Sequence, residues 1–250
     1  MTFTPEHFDA MFTARDDPWS YKTRWYEARK RDLTLACLPS ARYANGYEPG
    51  CANGELSAAL AQRCDRLVIS DGSPEAVTAA RERTRQLAHV EVRQAWLPGQ
   101  WPVERFDLIV ISEWAYYLGA DDIDTLALKI EASMESGGTL LGVWAAERQH
   151  RHKSRLQGSL TPWRHRENRA CAILSCHFSK GHSSILLPPR LLACHWRRPI
   201  AGCVLDGEAV NRRLGNQLGW PRLLSLHDID FRLDVWSSDP RSVAQREDFV

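Results

Sequence analysis

Between residues 42 and 143 short apolar runs alternate with stretches of helical periodicity, and this alternation limits the chain to few folds. Arg42 to Glu48 reads as a strand entering the turn Pro49-Gly50-Cys51-Ala52-Asn53-Gly54, after which Leu56, Ala59 and Leu60 share one helical face. Leu67-Val68-Ile69-Ser70-Asp71 is a second strand ending in an acid. Ser73-Pro74 then supplies an N-cap and a proline at the first helical position, with Ala76, Val77, Ala80 and Leu87 as the apolar face. Val90 and Val92 mark a third strand and Phe106 to Ile111 a fourth. A helix from Ile123 to Met134 is expected to end at Gly137-Gly138, before a fifth strand from Thr139 to Val143. Strands that alternate with helices imply an α/β fold, a mostly parallel sheet with helices on both faces.

The flanks extend this pattern. Residues 5–36 read as one or two helices, with Trp25, Arg29, Leu33 and Cys37 at helical spacing, so residues 1–40 form an N-terminal helical cap. A helix from Gly207 to Leu218 and an alternating strand from Phe231 to Trp236 close the chain. Residues 145–190 break the rhythm, and 143–192 read as a basic, mobile insertion within one domain spanning 1–250. The wider stretch 142–198 holds eleven Lys or Arg against only Glu147 and Glu167, in a chain whose net charge is +1. Two strand ends, Gly142-Val143-Trp144 and Arg190-Leu191-Leu192, compete there for one place in the sheet.

With 44% apolar and 25% charged residues the composition is that of a soluble globular protein. No run approaches the roughly 20 apolar residues of a membrane span. Polar residues such as His7, Asp9 and Arg15 stand where a signal peptide would be apolar, so a cytoplasmic protein with no membrane partner is expected. Seven cysteines without CxxC pairs read as small buried thiols. Cys171, Cys176, His177 and His182 match no common zinc spacing, and neither a metal nor a nucleic-acid partner is expected.

Glu48, Gly50 and Gly54, followed by Asp71 at the end of the second strand, have the geometry of a nucleotide site. Glycines let backbone approach the ligand, and a strand-final acid binds ribose hydroxyls. An acid at the position of Glu48 would repel the pyrophosphate of NAD. S-adenosylmethionine carries an ammonium and a sulfonium and no phosphate, so it fits better.

The order Glu-Pro-Gly-Cys-Ala-Asn-Gly, the strand-final Asp71 with Ser73-Pro74, Phe106 to Glu113, and Tyr116-Tyr117-Leu118 resembles the class I S-adenosylmethionine-dependent methyltransferases. More narrowly, with Asp17-Pro18-Trp19 and Trp25-Tyr26-Glu27, the chain is similar to the nodulation protein S family, whose characterised members N-methylate a deacetylated chitooligosaccharide. The resemblance covers residues 8–142 and resumes from about 193 to 245. It implies a Rossmann-like seven-stranded sheet and S-adenosyl-L-methionine as cofactor. It further implies that Glu48, Gly50 and Gly54 lie by the methionine part, that Asp71 takes the ribose, and that Trp19 and Lys30 close the site, with Gly72, Ser73 and Leu97 also among the cofactor-binding residues. Where the family commonly has an acid for the adenine amino group, this chain has Ala95-Trp96-Leu97, and Trp96 would stack on the base instead.

An amine acceptor that arrives as an ammonium must lose a proton, which calls for an acid beside it. Glu113, at the end of the fourth strand, is the candidate, with Tyr116 and Tyr117 shaping the methyl channel and His195 as an assisting base. The expected function is N-methylation of a free amine on a small molecule or aminosugar oligosaccharide. A methyltransferase of other acceptor specificity, an NAD-dependent enzyme and a cofactor-binding protein impaired by its insertion are the alternatives.

Overall fold

Leu67, Ile69, Leu108 and Val110 face one core, and their neighbours Val68, Ile109 and Ile111 face another. Period-two alternation with both sets buried is what a strand covered on both faces requires. The computed structural model describes Asp17, residues 20–145 and residues 205–246, which belong to one compact unit. Within it lie helix α1 (Trp25–Ala36), β1 (Tyr43–Pro49), α2 (Glu55–Leu60), β2 (Cys64–Asp71), α3 (Pro74–Thr84) and β3 (Val90–Gln94). There follow β4 (Phe106–Ser112), α4 (Ala120–Ser133), β5 (Met134–Ala145), α5 (Gly207–Leu218), β6 (Arg222–His227), β7 (Phe231–Ser237) and α6 (Val243–Arg246).

The strands form one seven-stranded sheet in the order β3-β2-β1-β4-β5-β7-β6. All neighbours pair in parallel up to β5, whereas β7 runs antiparallel to both β5 and β6. The chain moves outward from β1 to β3 and then returns to β4, so the order reverses between β1 and β4. At such a switch point the flanking loops diverge and leave a crevice beyond the carboxyl ends of the strands. One core holds α4 and α5 through Ile123, Leu126, Val210 and Leu214; the other holds Leu60 of α2 and Ala80 of α3. No described helix is long and apolar enough to cross a membrane.

Several boundaries differ from the sequence expectation. The fourth helix stops at Ser133, and β5 starts at Met134 and runs straight through Gly137-Gly138, with Gly137 at φ +77°. At its far end β5 continues to Ala145 because β7 pairs with it as far as Ala145–Phe231. The contested place in the sheet therefore belongs to Gly142-Val143-Trp144, and residues 143–145, assigned above to the insertion, are strand. Arg190-Leu191-Leu192 and the rest of 146–204 lie outside the described residues, as do the Cys171 to His182 cluster and the first part of the 1–40 cap.

The buried stripe of α1 also differs. Trp25 is 74% exposed and Arg29 is exposed, whereas Glu27, Lys30 and Thr34 are buried. Thr34 is satisfied by donating to the Lys30 carbonyl, and the two charged residues pair with each other. Arg29 instead reaches Asp228 at 2.7 Å, and Tyr26 packs edge-on against Phe231, tying α1 to the β6–β7 hairpin.

Candidate active site

β1 ends by carrying Glu48 into the interior, with Gly50 as the first residue of the turn that follows. The N–H groups of Gly50 and Cys51 both donate to the Ser70 carbonyl, at 2.7 and 2.9 Å, which folds the turn back onto the end of β2. Gly50 and Gly54 have φ of +72° and +79°, conformations open to glycine and strained for other residues. Each is also crowded. A Cβ on Gly50 would lie 2.5 Å from Cδ1 of Trp114, and one on Gly54 would lie 3.1 Å from Cα of Ala80.

Asp71 braces this turn. One carboxylate oxygen accepts from the Ala52 N–H at 2.9 Å and the other from the Ser73 N–H at 3.0 Å. Ser73 caps α3 through Ala76, and Gly72 is pinned by the Trp96 ring, whose Cε3 would be 2.3 Å from a Cβ there. Trp96 and Leu97 thus stand beside the loop that follows β2, both partly buried.

Glu48 is almost fully buried and its Oε2 has no hydrogen-bond partner. Burial pushes its carboxyl up to about 8, the Ser57 hydroxyl opposing this and the charge of Asp71 adding to it. Ser57 Oγ, Trp114 Nε1 and Glu113 Oε1 are likewise buried without a hydrogen bond. Orphaned buried groups are expensive, and four of the seven among the described residues belong to the end of β1, the helix after the glycine turn and the two residues after β4, which makes this a place suited to a polar ligand. The set is rich in acceptors and acids, which suits the ammonium and hydroxyl donors of S-adenosylmethionine and repels a pyrophosphate.

Beyond β4 the next residue, Glu113, is held at φ +62°, with its N–H donating to the Val143 carbonyl at 3.0 Å. A left-handed non-glycine residue is strained, and strain of this kind gathers at functional sites. Glu113 Oε2 accepts from the Tyr116 hydroxyl at 2.8 Å. Oε1 lies 3.5 Å from Lys30 Nζ, which in turn is 3.0 Å from Glu27 Oε2 and 4.9 Å from the Tyr26 ring centre. The structure therefore brings Lys30 to Glu113.

Three phenols surround these charges. Tyr116 and Tyr117 meet edge to face at 4.7 Å, and burial followed by the Glu113 charge raises the pKa of both. Tyr21, which sequence reasoning missed, is raised by burial and then by Glu27, Glu113, Tyr117 and Asp71, so its hydroxyl senses both halves of the site. Its loop is anchored by Asp17, which accepts from the N–H groups of Tyr21 and Lys22 and from the Asn53 amide of the glycine turn. The Asp17-Pro18 turn signal was the available clue. Trp19 and His195 lie outside the described residues. Among the described residues no cluster of His, Cys, Asp or Glu is arranged to hold a metal ion.

Comparison with known proteins follows the same lines. The model of the nodulation protein S (NodS) family matches residues 10–143. Nodulation protein S of Rhizobium tropici is 36% identical over 107 residues, 42% of this chain and 45% of that protein. The Bradyrhizobium diazoefficiens protein of that name is 33% identical over 106 residues, 42% of this chain and 51% of the relative. The chain spans about half the length of the curated relatives it matches. Among solved structures, a candidate methyltransferase from Pseudomonas syringae is 38% identical with a TM-score of 0.58, covering 86% of this chain and 99% of that one. The N-methyltransferase NodS from Bradyrhizobium japonicum WM9, in complex with S-adenosyl-L-homocysteine, shares the fold at a TM-score of 0.64 and 22% identity, over 94% of this chain and 99% of that one. The glycine turn, Asp71 and Glu113 all fall inside residues 10–143, more than half of the 250-residue chain, and the chain belongs to the nodulation protein S (NodS) family.

Proposed function

We propose that this chain is an S-adenosylmethionine-dependent N-methyltransferase whose acceptor is the free amine of an aminosugar, a deacetylated chitooligosaccharide being the form its family points to. One observation supports the reading above others. Two half-sites with unfilled buried acceptors, Glu48 Oε2 at the end of β1 and Glu113 Oε1 just after β4, stand at the switch point of the sheet. When bound, the cofactor supplies a methyl group made electrophilic by a positively charged sulfur. Glu48 and Asp71 hold its ammonium and ribose, the two glycines let backbone close on it, and Trp96 offers a ring to its base.

On the acceptor side the chain's own work is binding and proton handling. Glu27 and Glu113 against Lys30 leave the cluster one negative charge in excess, which favours an acceptor arriving as an ammonium. Glu113 Oε1 accepts an N–H of that ammonium and takes its proton, leaving the nitrogen lone pair free to attack. Tyr21, Tyr116 and Tyr117, kept protonated by burial, line the channel and keep water from the reacting nitrogen.

The test is calorimetric titration of the full chain with S-adenosylhomocysteine beside NADH, followed by transfer of a labelled methyl group to a chitooligosaccharide with one free amine. Micromolar binding of the first ligand alone, with label on the deacetylated and not the fully acetylated oligosaccharide, is expected. Binding of NADH instead would remove the methyltransferase reading. Binding without transfer to any aminosugar would remove the acceptor.

A further inference from the structure

Lys30 is a buried ammonium with two carboxylates within reach, and its distances to them are unequal: 3.0 Å to Glu27 Oε2 and 3.5 Å to Glu113 Oε1. The closer pair lies on one helix, three residues apart, so α1 fixes the lysine before the rest of the fold is considered. The Tyr26 ring beneath the ammonium adds a cation–π contact that keeps it there. Glu113 is fixed independently, by its backbone bond to β5 and by the Tyr116 hydroxyl on Oε2. At 3.5 Å the lysine acts on Oε1 as a charge and does not occupy it with a hydrogen bond.

We infer that Lys30 is the positioning residue of Glu113, an internal counter-ion, anchored by Glu27, that balances the charge of the Glu113 carboxylate and orients it while leaving Oε1 open to the acceptor's N–H. The inference rests on the methyl-transfer reading for its purpose and on the ion cluster for its physics. Glu113 is faced by Tyr116 and Tyr117 from its own loop, by Glu27 and Lys30 from α1, and by Tyr21 from the loop before it. Lys30 supplies the positive charge of that group. Glu27 is the other carboxylate of the group, and its burial raises its own pKa, while Lys30 pulls it back. The two residues therefore act on Glu113 with opposite signs. Removing Lys30 makes the Glu113 carboxylate harder to ionise. Neutralising Glu27 removes a like charge and releases Lys30 toward Oε1, so it makes ionisation easier.

The experiment follows the Glu113 carboxyl by carbon-13 NMR during a pH titration of the full chain, with the signal assigned by its loss in Glu113→Gln. Lys30→Met is expected to move the titration upward by about one pH unit, Lys30→Arg to restore it, and Glu27→Gln to move it downward. The acid limb of kcat/KM should follow in the same directions. A merely structural role would lower activity by the same factor at every pH and leave the titration in place. An unmoved titration in Lys30→Met, or a shift of the same sign in Glu27→Gln, overturns the inference. Should Lys30→Met not fold, Lys30→Gln, which keeps a polar head beside Glu27 without the charge, takes its place; the same upward shift is expected of it, and an unmoved titration overturns the inference. Absence of methyl transfer with the NMR shifts intact would count against the proposed reaction alone.

Discussion

Trp114 stands where a side chain on Gly50 would stand. A Cβ at Gly50 would fall 2.5 Å from the indole Cδ1 and 2.7 Å from Cγ, and the backbone there has φ +72°. Gly50→Ala therefore suffers twice, from about 1 kcal/mol of left-handed strain and from displacement of an indole wedged beside Glu113. The expected result is a loss of S-adenosylhomocysteine affinity of at least tenfold by calorimetry, with a lower Tm. Unchanged affinity would show that the turn does not touch the ligand.

Glu48 ties the cofactor half of the site to pH. Its pKa is raised to about 8 by burial, from an ordinary carboxyl value near 4.5. A raised folded-state value means that stability is fully present below about 4.5 and is lost as pH rises through about 8. Glu48→Gln cannot ionise, so at pH 8.5 its ligand-free Tm should exceed wild type by at least about 2–4 °C, the shift expected of roughly 1 kcal/mol in a chain of this size. At pH 4, below both values, the two should melt together. The same variant should bind S-adenosylhomocysteine more weakly, because the ligand's ammonium loses a carboxylate that ionises to meet it. A Tm difference that does not grow with pH would refute the assignment.

Trp96 should matter to binding more than to folding. Its ring lies over Gly72 and is only partly buried. If it stacks on the adenine, Trp96→Ala should raise the Kd for S-adenosylhomocysteine by about 5- to 150-fold, from roughly 1–3 kcal/mol of base stacking. Trp96→Phe should recover most of that. Equal Kd values in wild type and Trp96→Ala would place the base elsewhere.

The central strands were legible because each is an apolar run buried on both faces, and Ser73-Pro74 marked the start of α3 without ambiguity. Strand β6 was missed because it lies at the sheet edge, where exposed Arg222, Ser225 and His227 leave no contrast between its faces. The face of α1 was misread for a different reason. Its buried stripe is Glu27, Lys30 and Thr34, polar residues that hydrophobic periodicity assigns to solvent and that are satisfied inside by one another and by the distant Glu113. Tyr21, a loop residue, has no periodicity to read, and the Asp17-Pro18 turn before it was its one signal. The strand-final acids Asp71 and Glu113 were visible, since a carboxyl ending an apolar run is conspicuous. Their bracing bonds to Ala52, Ser73, Tyr116 and Lys30 were not.

Glu113→Gln separates binding of the cofactor from handling of the acceptor's proton. The amide oxygen of glutamine can still accept from Tyr116, so the local fold is retained, but the amide nitrogen can then offer only donors toward Lys30 and the incoming ammonium. Neither donor pair is favourable, and no base remains. Affinity for S-adenosylhomocysteine should stay within about threefold of wild type, while kcat/KM for the amine acceptor falls by roughly 100- to 10,000-fold, the range for loss of a general base. If the acceptor arrives as an ammonium and Glu113 takes its proton, the wild-type profile of kcat/KM should have an acid limb that Glu113→Gln abolishes. Full activity in Glu113→Gln would remove Glu113 as the base, and an acid limb that persists in the variant would assign that limb to another group.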